Sequence, residues 1–175
     1  MAGTIRILRS DIVQLKTDAI VNAANSGLWA GGGVCGAIFR AAGHEALQDA
    51  CLAIGGCKTG QAVITPGFAL AAKYIIHAVG PVWEGGDRSE PALLYSAYAR
   101  SLQAAKENGC HSIGFPLISA GIYGYPMAGA WSRALEACSD FLKKNPDYDM
   151  NIVFAVLDDD ILELGERTLA EMEKR

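Results

Sequence analysis

Short apolar runs alternate with amphipathic segments along the chain. Six of the runs are rich in β-branched and aromatic residues and therefore predict strands. They lie at residues 4–8, 19–21, 62–65, 74–79, 112–116 and 152–157. Apolar residues recur with helical spacing from Val34, Leu94 and Met127, and a last helix is expected at about 160–174. Strands that alternate with helices predict an α/β fold of three layers, with helices on both faces of one sheet.

Composition places the chain among globular proteins. Hydrophobic residues make up 51% of its 175 residues and charged residues 19%, which excludes a disordered chain. The length suits one domain spanning residues 1–175. No apolar run approaches the ~18 residues of a membrane-spanning helix, and Arg6, Arg9 and Asp11 interrupt the apolar residues of a would-be signal peptide. We therefore expect a cytoplasmic protein without a membrane partner.

The net charge and the spacing of the cysteines limit the classes of partner and metal site that we expect. Fifteen Lys and Arg residues against nineteen Asp and Glu residues give a net charge of -4. Because a nucleic-acid backbone requires clustered cations, no nucleic-acid partner is expected. The five cysteines are dispersed without a CxxC pair, which predicts free thiols and no metal site. Nothing in the sequence predicts an oligomer interface, so we expect a monomer.

Two glycine-rich segments follow predicted strands and lead into predicted helices. They cover residues 22–35 and 117–129, and neither contains a Lys, Arg, Asp or Glu. Backbone N–H groups at a helix start can bind an anion without any charged side chain, and glycines give the anion close access. Glycines that serve only tight turns are the alternative for a single segment. Two such segments at one edge of a sheet instead predict a diphosphate site.

Several runs in order resemble the MacroD-type macrodomain family, which includes O-acetyl-ADP-ribose deacetylases and mono-ADP-ribosyl hydrolases. These runs are DAIVNAAN (18–25), GGGV (31–34), TGQAVIT (59–65), KYIIHAVGPVW (73–83) and FPLISAGIYGYP (115–126), and the resemblance covers roughly residues 3–160. It implies a three-layer α/β/α macrodomain fold with a mostly parallel mixed central sheet. It also implies an ADP-ribose cleft at the strand ends, and it implies no metal or other cofactor.

The resemblance implies a set of ligand-binding residues. These are Asp11, Ile12, Asn22, Gly31, Gly32, Gly33, Val34, Ser119, Ala120, Gly121, Ile122, Tyr123, Phe154 and Val156. Asp11 would accept from the adenine amine, since a carboxylate only accepts and that amine only donates. Tyr123 would close over the proximal ribose, and Phe154 and Val156 would form an apolar wall beside adenine. A turn cap at Asp11, plain strand core at Phe154 and Val156, and a loop brace at Asn22 are the structural alternatives.

Asn25 and Cys35 are the catalytic candidates. Asn25 resembles the asparagine that binds the proximal ribose and orients the attacked carbon, although an Asx-turn would also explain it. Active relatives usually carry aspartate where this chain has Cys35. Helical spacing places Cys35 on one face with Phe39, which suggests that it faces the cleft. Its thiol could act as a base, act as a nucleophile or only fill space.

Milder departures from the family pattern are Ser10 for glycine, Phe39 for histidine and Ala120 for threonine.

The resemblance implies hydrolysis of ADP-ribose esters, either O-acetyl-ADP-ribose or ADP-ribose on protein carboxylates. The attacking water would be oriented by Asn25 and the substrate phosphates. The expected partners are ADP-ribose, its esters and ADP-ribosylated proteins. The alternative is a module that binds ADP-ribose without chemistry, because Cys35 replaces the aspartate.

Other candidate residues have structural interpretations. His77 lies within an apolar run and is predicted to be a core histidine. Asp158, Asp159 and Asp160 precede a predicted helix and are expected to cap it.

Overall fold

The computed structural model describes residues 2–175. Its six strands coincide with the six predicted runs, and the predicted ends differ from the observed ones by no more than two residues. The strands are β1 (Thr4–Arg9), β2 (Ala19–Ala23), β3 (Ala62–Pro66), β4 (Tyr74–Ala78), β5 (Ser112–Phe115) and β6 (Asn151–Val156). The prediction of strands from β-branched runs is therefore confirmed.

All six strands form one sheet in the order β1-β6-β5-β2-β4-β3. Every neighbouring pair is parallel except β3 and β4, which are antiparallel. The mostly parallel mixed sheet is thus confirmed. Since the inner strands are parallel, their carboxyl ends meet at one edge of the sheet, where ligands bind in open α/β folds.

Within residues 2–175, five α-helices cover the sheet. They are α1 (Gly33–Ala42), α2 (His44–Ile54), α3 (Glu90–Glu107), α4 (Met127–Lys144) and α5 (Asp159–Glu173), and a short 3₁₀ helix spans Ile12–Gln14. Helical spacing predicted α1, α3, α4 and α5. It did not separate α2 from α1, which ends where Gly43 takes a φ of 107° that side chains rarely adopt. In residues 2–175, no helix is both long and apolar enough to span a bilayer.

The core divides into two clusters on opposite faces of the sheet. Successive residues of β2 point to opposite faces, so Ile20 packs with α1 and α2, whereas Val21 packs with α3 and α4. Ile75 and Ile76 divide in the same way on β4. This arrangement is the predicted three-layer α/β/α fold, and it leaves the carboxyl edge of the sheet open between the layers.

Candidate functional site

A cleft of about 760 Å³ lies at the carboxyl edge of the sheet. Segments that follow β1, β2, β4, β5 and β6 line it, together with the first turn of α1. The volume falls within the range of small-molecule sites, about 300–1,000 Å³. Both glycine-rich segments contribute to its walls, as the sequence predicted from their position after strands.

The β2–α1 loop, residues 24–32, is fixed by hydrogen bonds. The Asn25 side chain donates from Nδ2 to the Trp29 carbonyl oxygen at 2.8 Å, and its Oδ1 accepts from the Trp29 N–H at 3.1 Å. Gln48 of α2 accepts from the Ala30 N–H and donates to the Leu28 carbonyl. The loop is therefore held in one shape by its own asparagine and by α2.

Asn25 keeps hydrogen-bonding capacity after bracing this loop. An amide carries two N–H donors and two oxygen lone pairs, and the Trp29 backbone uses one of each. Asn25 also lines the cleft. The loop brace and a ligand contact are therefore compatible, and the brace fixes the direction in which the remaining donor and lone pair point.

Cys35 stands in the first turn of α1, on the cleft wall. Its side chain is only 6% exposed, and Sγ lies 3.6 Å from Asn22 Nδ2 and 3.8 Å from the Trp29 carbonyl oxygen. Cys35 does share a helix face with Phe39, as the spacing predicted, but that face packs into the core. Val34, expected on the core stripe, instead lies partly exposed in the cleft.

The β5–α4 loop, residues 116–126, forms the opposite wall. Ser119 takes a φ of 67°, is 6% exposed and has no hydrogen-bond partner for Oγ within the protein. Ile122 is 88% exposed, and its Cδ1 would contact a methyl group placed on Gly32 at 3.9 Å. Ala120, Gly121 and Tyr123 also line the cleft. The two loops thus face each other across it.

Asp11 caps the 3₁₀ helix, because one carboxylate oxygen accepts from the Val13 N–H at 3.1 Å. It also lines the cleft with Ile12, and the cap leaves the other carboxylate oxygen unoccupied by that bond. Val156 lies at the same end of the cleft. The structural alternative at Asp11 is therefore present, and it does not exclude a ligand contact.

The structure does not bring Phe154 or Asn22 to the cleft. Phe154 is fully buried on the α3–α4 face, where its ring packs against Tyr98, Phe115 and Trp131. It therefore does not form the expected wall, and the apolar residues at that end are Val156 and its neighbours. Asn22 is buried on β2, and its side-chain amide contacts the sulfur of Cys35.

The sequence reasoning missed some cleft residues. Gly80, which follows β4, approaches so closely that a methyl group on it would lie 2.2 Å from Ser119 Oγ. The available signal was a glycine directly after a strand that ends at the same sheet edge. Asp158 lines the cleft and caps α5, as predicted, by accepting from the N–H groups of Asp160 and Ile161. Within residues 2–175, no three His, Cys, Asp or Glu side chains cluster as metal ligands.

This fold and cleft define a three-layer α/β protein with a ligand site at the strand ends. The profile of the macro domain family matches residues 21–134. A protein of Cronobacter turicensis named O-acetyl-ADP-ribose deacetylase is 46% identical over 99% of this chain and 100% of its own length. A macro domain-containing protein of Ralstonia nicotianae is 60% identical over 70% of this chain and 71% of its own. The chain belongs to the macro domain family.

Solved structures agree with this assignment. The Oceanobacillus iheyensis macrodomain with ADP superimposes with a TM-score of 0.90 at 35% identity, over 96% of this chain and 90% of that one. The Trypanosoma brucei macrodomain in complex with ADP-ribose gives a TM-score of 0.85 at 39% identity, over 93% and 68% of the two chains. The implied macrodomain fold is confirmed.

Proposed function

We propose that the cleft binds ADP-ribose and that the protein hydrolyses ADP-ribose esters. The substrates are O-acetyl-ADP-ribose or ADP-ribose esterified to protein carboxylates. One observation carries the proposal: two uncharged glycine-rich loops face each other across a nucleotide-sized cleft that Asn25 also lines. The relatives named O-acetyl-ADP-ribose deacetylase support the choice of ester.

The diphosphate would bind to backbone N–H groups. The first N–H groups of a helix have no acceptor within it, and the N-cap of α1, Gly32, supplies no side-chain cap. The dipole of α1 also favours an anion at this end. Gly31, Gly32, Gly33 and Val34 would meet the diphosphate from one side, and residues 119–122 from the other. This arrangement explains how an acidic chain can hold a doubly charged group.

The remaining parts of the ligand follow from this placement. Adenine would lie at the β1–β6 end of the cleft, where Asp11 can accept from its amine and Ile12 and Val156 supply apolar contacts. The proximal ribose would lie beside Asn25, with Tyr123 closing over it. Phe154 and Asn22 are given no ligand contact in this assignment. Asn22 contacts the sulfur of Cys35 instead.

In the proposed reaction, water adds to the ester carbon and the ribose oxygen leaves with a proton, which releases ADP-ribose and the acid. Asn25 and a substrate phosphate would orient the water and the attacked carbon. Positioning of this kind supplies ~7–11 kcal/mol of barrier reduction, whereas a general base typically adds about 10²–10⁴-fold. Loss of the aspartate at position 35 therefore slows this chemistry without abolishing it.

A second candidate function is a module that binds ADP-ribose and performs no chemistry. Cys35 favours it, because the only carboxylates that line the cleft, among residues 2–175, are Asp11 and Asp158. Both belong to the segments after β1 and β6, whereas Asn25 follows β2. Whether the protein is a hydrolase or a binding module therefore depends on what Cys35 does at position 35.

The test compares wild type with Cys35→Asp and Asn25→Ala at equal ADP-ribose occupancy, set by calorimetric titration. We expect measurable ester turnover by wild type, turnover about 10²-fold or more faster in Cys35→Asp, and a loss of turnover in Asn25→Ala. Gln103→Ala is the control, since Gln103 is an exposed amide on α3 that bonds only Glu107. Wild type that binds but matches the uncatalysed rate, while Cys35→Asp turns over, would establish the binding module. Absence of ADP-ribose binding would overturn both candidates.

A further inference from the structure

A chain of buried polar side chains leads from the edge of the sheet to Cys35. His77 on β4 lies between two partners: its Nε2 is 3.0 Å from Thr65 Oγ1, and its Nδ1 is 3.1 Å from Asn22 Nδ2. His77 is fully buried, which confirms the predicted core histidine, and burial lowers its pKa to about 4. The imidazole is therefore neutral near pH 7, with one ring nitrogen donating and the other accepting.

Thr65 decides which nitrogen donates. Its hydroxyl donates to the Pro66 carbonyl oxygen at 3.2 Å, so Oγ1 has only lone pairs left for His77. With the hydroxyl donating to Pro66, His77 Nε2 carries the proton and donates to Thr65, and Nδ1 accepts from Asn22 Nδ2. Only the Nδ2 side of the Asn22 amide can satisfy that acceptor, so His77 fixes the orientation of the amide.

This orientation turns a second N–H toward Cys35. Asn22 Nδ2 has two hydrogens: one reaches His77, and Sγ of Cys35 lies 3.6 Å from the same nitrogen. The Asn22 oxygen is left buried without a partner in the protein. Rotating the amide would place oxygen against the Nδ1 lone pair and remove the donor from sulfur. A buried, unpartnered carbonyl is uncommon in proteins and accompanies this arrangement.

We propose that Asn22 is a positioning residue that, oriented by Thr65 and His77, holds the Cys35 sulfur as a hydrogen-bond acceptor and thereby favours its reactive, deprotonated form. The thiolate is the form of cysteine that reacts, and an N–H bond to a charged group favours the charged form. The contact with Asn22 supports the effect on sulfur, whereas its use in ester turnover rests on the proposed function.

The ionisable groups around Cys35 stay the same in variants of Asn22 and Thr65, because neither of these side chains ionises. Cys51 of α2 is held neutral, since burial and then the proximity of Cys35 raise its pKa to about 11. Arg40 lies farther along α1, with its guanidinium over Gly36. The β2–α1 loop contains no ionisable side chain, and Asp11 and Asp158 line the part of the cleft that follows β1 and β6.

Cys57 is a matched control within the same molecule. It is 8% exposed against 6% for Cys35, and each thiol donates to one backbone carbonyl oxygen: Cys57 to Lys58 at 3.7 Å and Cys35 to Trp29 at 3.8 Å. Only Cys35 also accepts from an amide N–H, that of Asn22. Burial raises the pKa of Cys57. Two thiols of almost equal exposure therefore differ in whether an amide donor faces the sulfur.

The experiment measures iodoacetamide alkylation of each cysteine by peptide mass spectrometry across pH, on the full chain without ligand. We expect wild-type Cys35 to react at lower pH than Cys57. In Asn22→Leu, alkylation of Cys35 near pH 7 should slow about tenfold, the worth of one such hydrogen bond, and its profile should move to higher pH. Thr65→Val, which removes the acceptor for His77 and the hydroxyl bond to Pro66 but leaves Asn22 in place, should move the profile in the same direction by less, with Cys57 unchanged.

The outcomes separate this inference from the proposed function. If Asn22→Leu does not fold, as judged by circular dichroism, Thr65→Val carries the test. A Cys35 profile that is unchanged, or that moves to lower pH, in the folded variants would overturn the positioning role. Wild type that shows the expected alkylation but neither binds ADP-ribose nor cleaves its esters would contradict the proposed function alone.

Discussion

The two glycine-rich loops share composition and position but differ in how they are held. In the β2–α1 loop, Asn25 and Gln48 bind the backbone at four points and fix its shape. In the β5–α4 loop, Ile122 at the tip is exposed to solvent. The backbone of Ser119 is in the left-handed conformation, and its buried hydroxyl has no partner in the protein. The first wall is thus held in shape by side-chain hydrogen bonds, whereas the second wall contains a buried hydroxyl without a partner in the protein.

The supports of the two loops also differ in chemistry. Gln48, which holds the β2–α1 loop, does not ionise. The β5–α4 loop is supported through Trp83, whose N–H donates to the Tyr123 carbonyl and whose ring packs against Tyr125. Trp83 precedes a turn that the Glu90 carboxylate holds by accepting three backbone N–H groups. The β5–α4 loop is therefore supported by a charged side chain, whereas the two side chains that hold the β2–α1 loop, Asn25 and Gln48, are uncharged.

We expect the largest effect from loss of that charge. Burial of Glu90 raises its pKa, but the N–H groups of Glu84, Gly86, Glu90 and Arg88 outweigh burial and lower it from 4.5 to about 2. Because the folded pKa lies below the unfolded one, the stabilisation is complete above pH 4.5 and is lost as pH falls through about 2. Glu90→Gln should therefore lower the melting temperature at pH 7 and flatten its acid dependence in this range.

The measurement is thermal unfolding of wild type and Glu90→Gln from pH 7 to pH 2, followed by the combined emission of Trp29, Trp83 and Trp131. Glu107→Gln serves as the control, because Glu107 is exposed and bonds only Gln103. Equal acid dependence in wild type and Glu90→Gln would show that this carboxylate does not hold the second wall.

A smaller effect should come from adding one methyl group to each wall. In Gly36→Ala, the new Cβ would lie 2.6 Å from the Gly31 carbonyl oxygen, so the fixed loop must shift away from α1. Overpacking of this kind costs about 1–3 kcal/mol, which exceeds the ~1 kcal/mol that alanine gains in a helix. In Gly121→Ala the methyl group meets nothing within 4 Å, so the free energy of unfolding should stay within about 0.5 kcal/mol.

Urea unfolding of both variants checks this contrast, and ADP-ribose titration shows whether the shifted loop still binds. Equal losses in the two variants would mean that the loops are equally constrained. A stabilised Gly36→Ala would mean that the close approach of Gly31 to α1 is not required.

Local patterns in the sequence were sufficient to predict the sheet. Runs of β-branched and aromatic residues identified all six strands, the amphipathic segments identified four helices, and glycines after strands identified both walls of the cleft. These features depend on a few neighbouring residues, and the sequence displays them directly. The resemblance added the order of the ligand groups along the cleft, which spacing alone does not contain.

Long-range contacts were beyond the sequence pattern. Alternation shows that Phe154 and Val156 share a face, but not that the rings of Tyr98 and Trp131 cover only the first. The pattern likewise gives no sign that Asn22 meets His77, because that contact needs the register of β2 against β4. Cys35 lines the cleft, as the spacing suggested, but the spacing could not show that its side chain is also buried with Phe39 in the core and contacts Asn22.

We expect the smallest effect from removing the hydroxyl of Ser119 in the β5–α4 loop, which has no partner in the protein. A buried hydroxyl without a partner costs about 1–3 kcal/mol, so Ser119→Ala should raise the free energy of unfolding or leave it unchanged. If that hydroxyl is kept for the ligand, the same variant should bind ADP-ribose about tenfold more weakly. Ser101→Ala is the control, since the Ser101 hydroxyl already donates to Ala97 within α3 and lies outside the cleft. Chemical unfolding and calorimetry separate the two effects. A Ser119→Ala variant that is less stable yet binds as tightly as wild type would show that the second wall is as self-sufficient as the first.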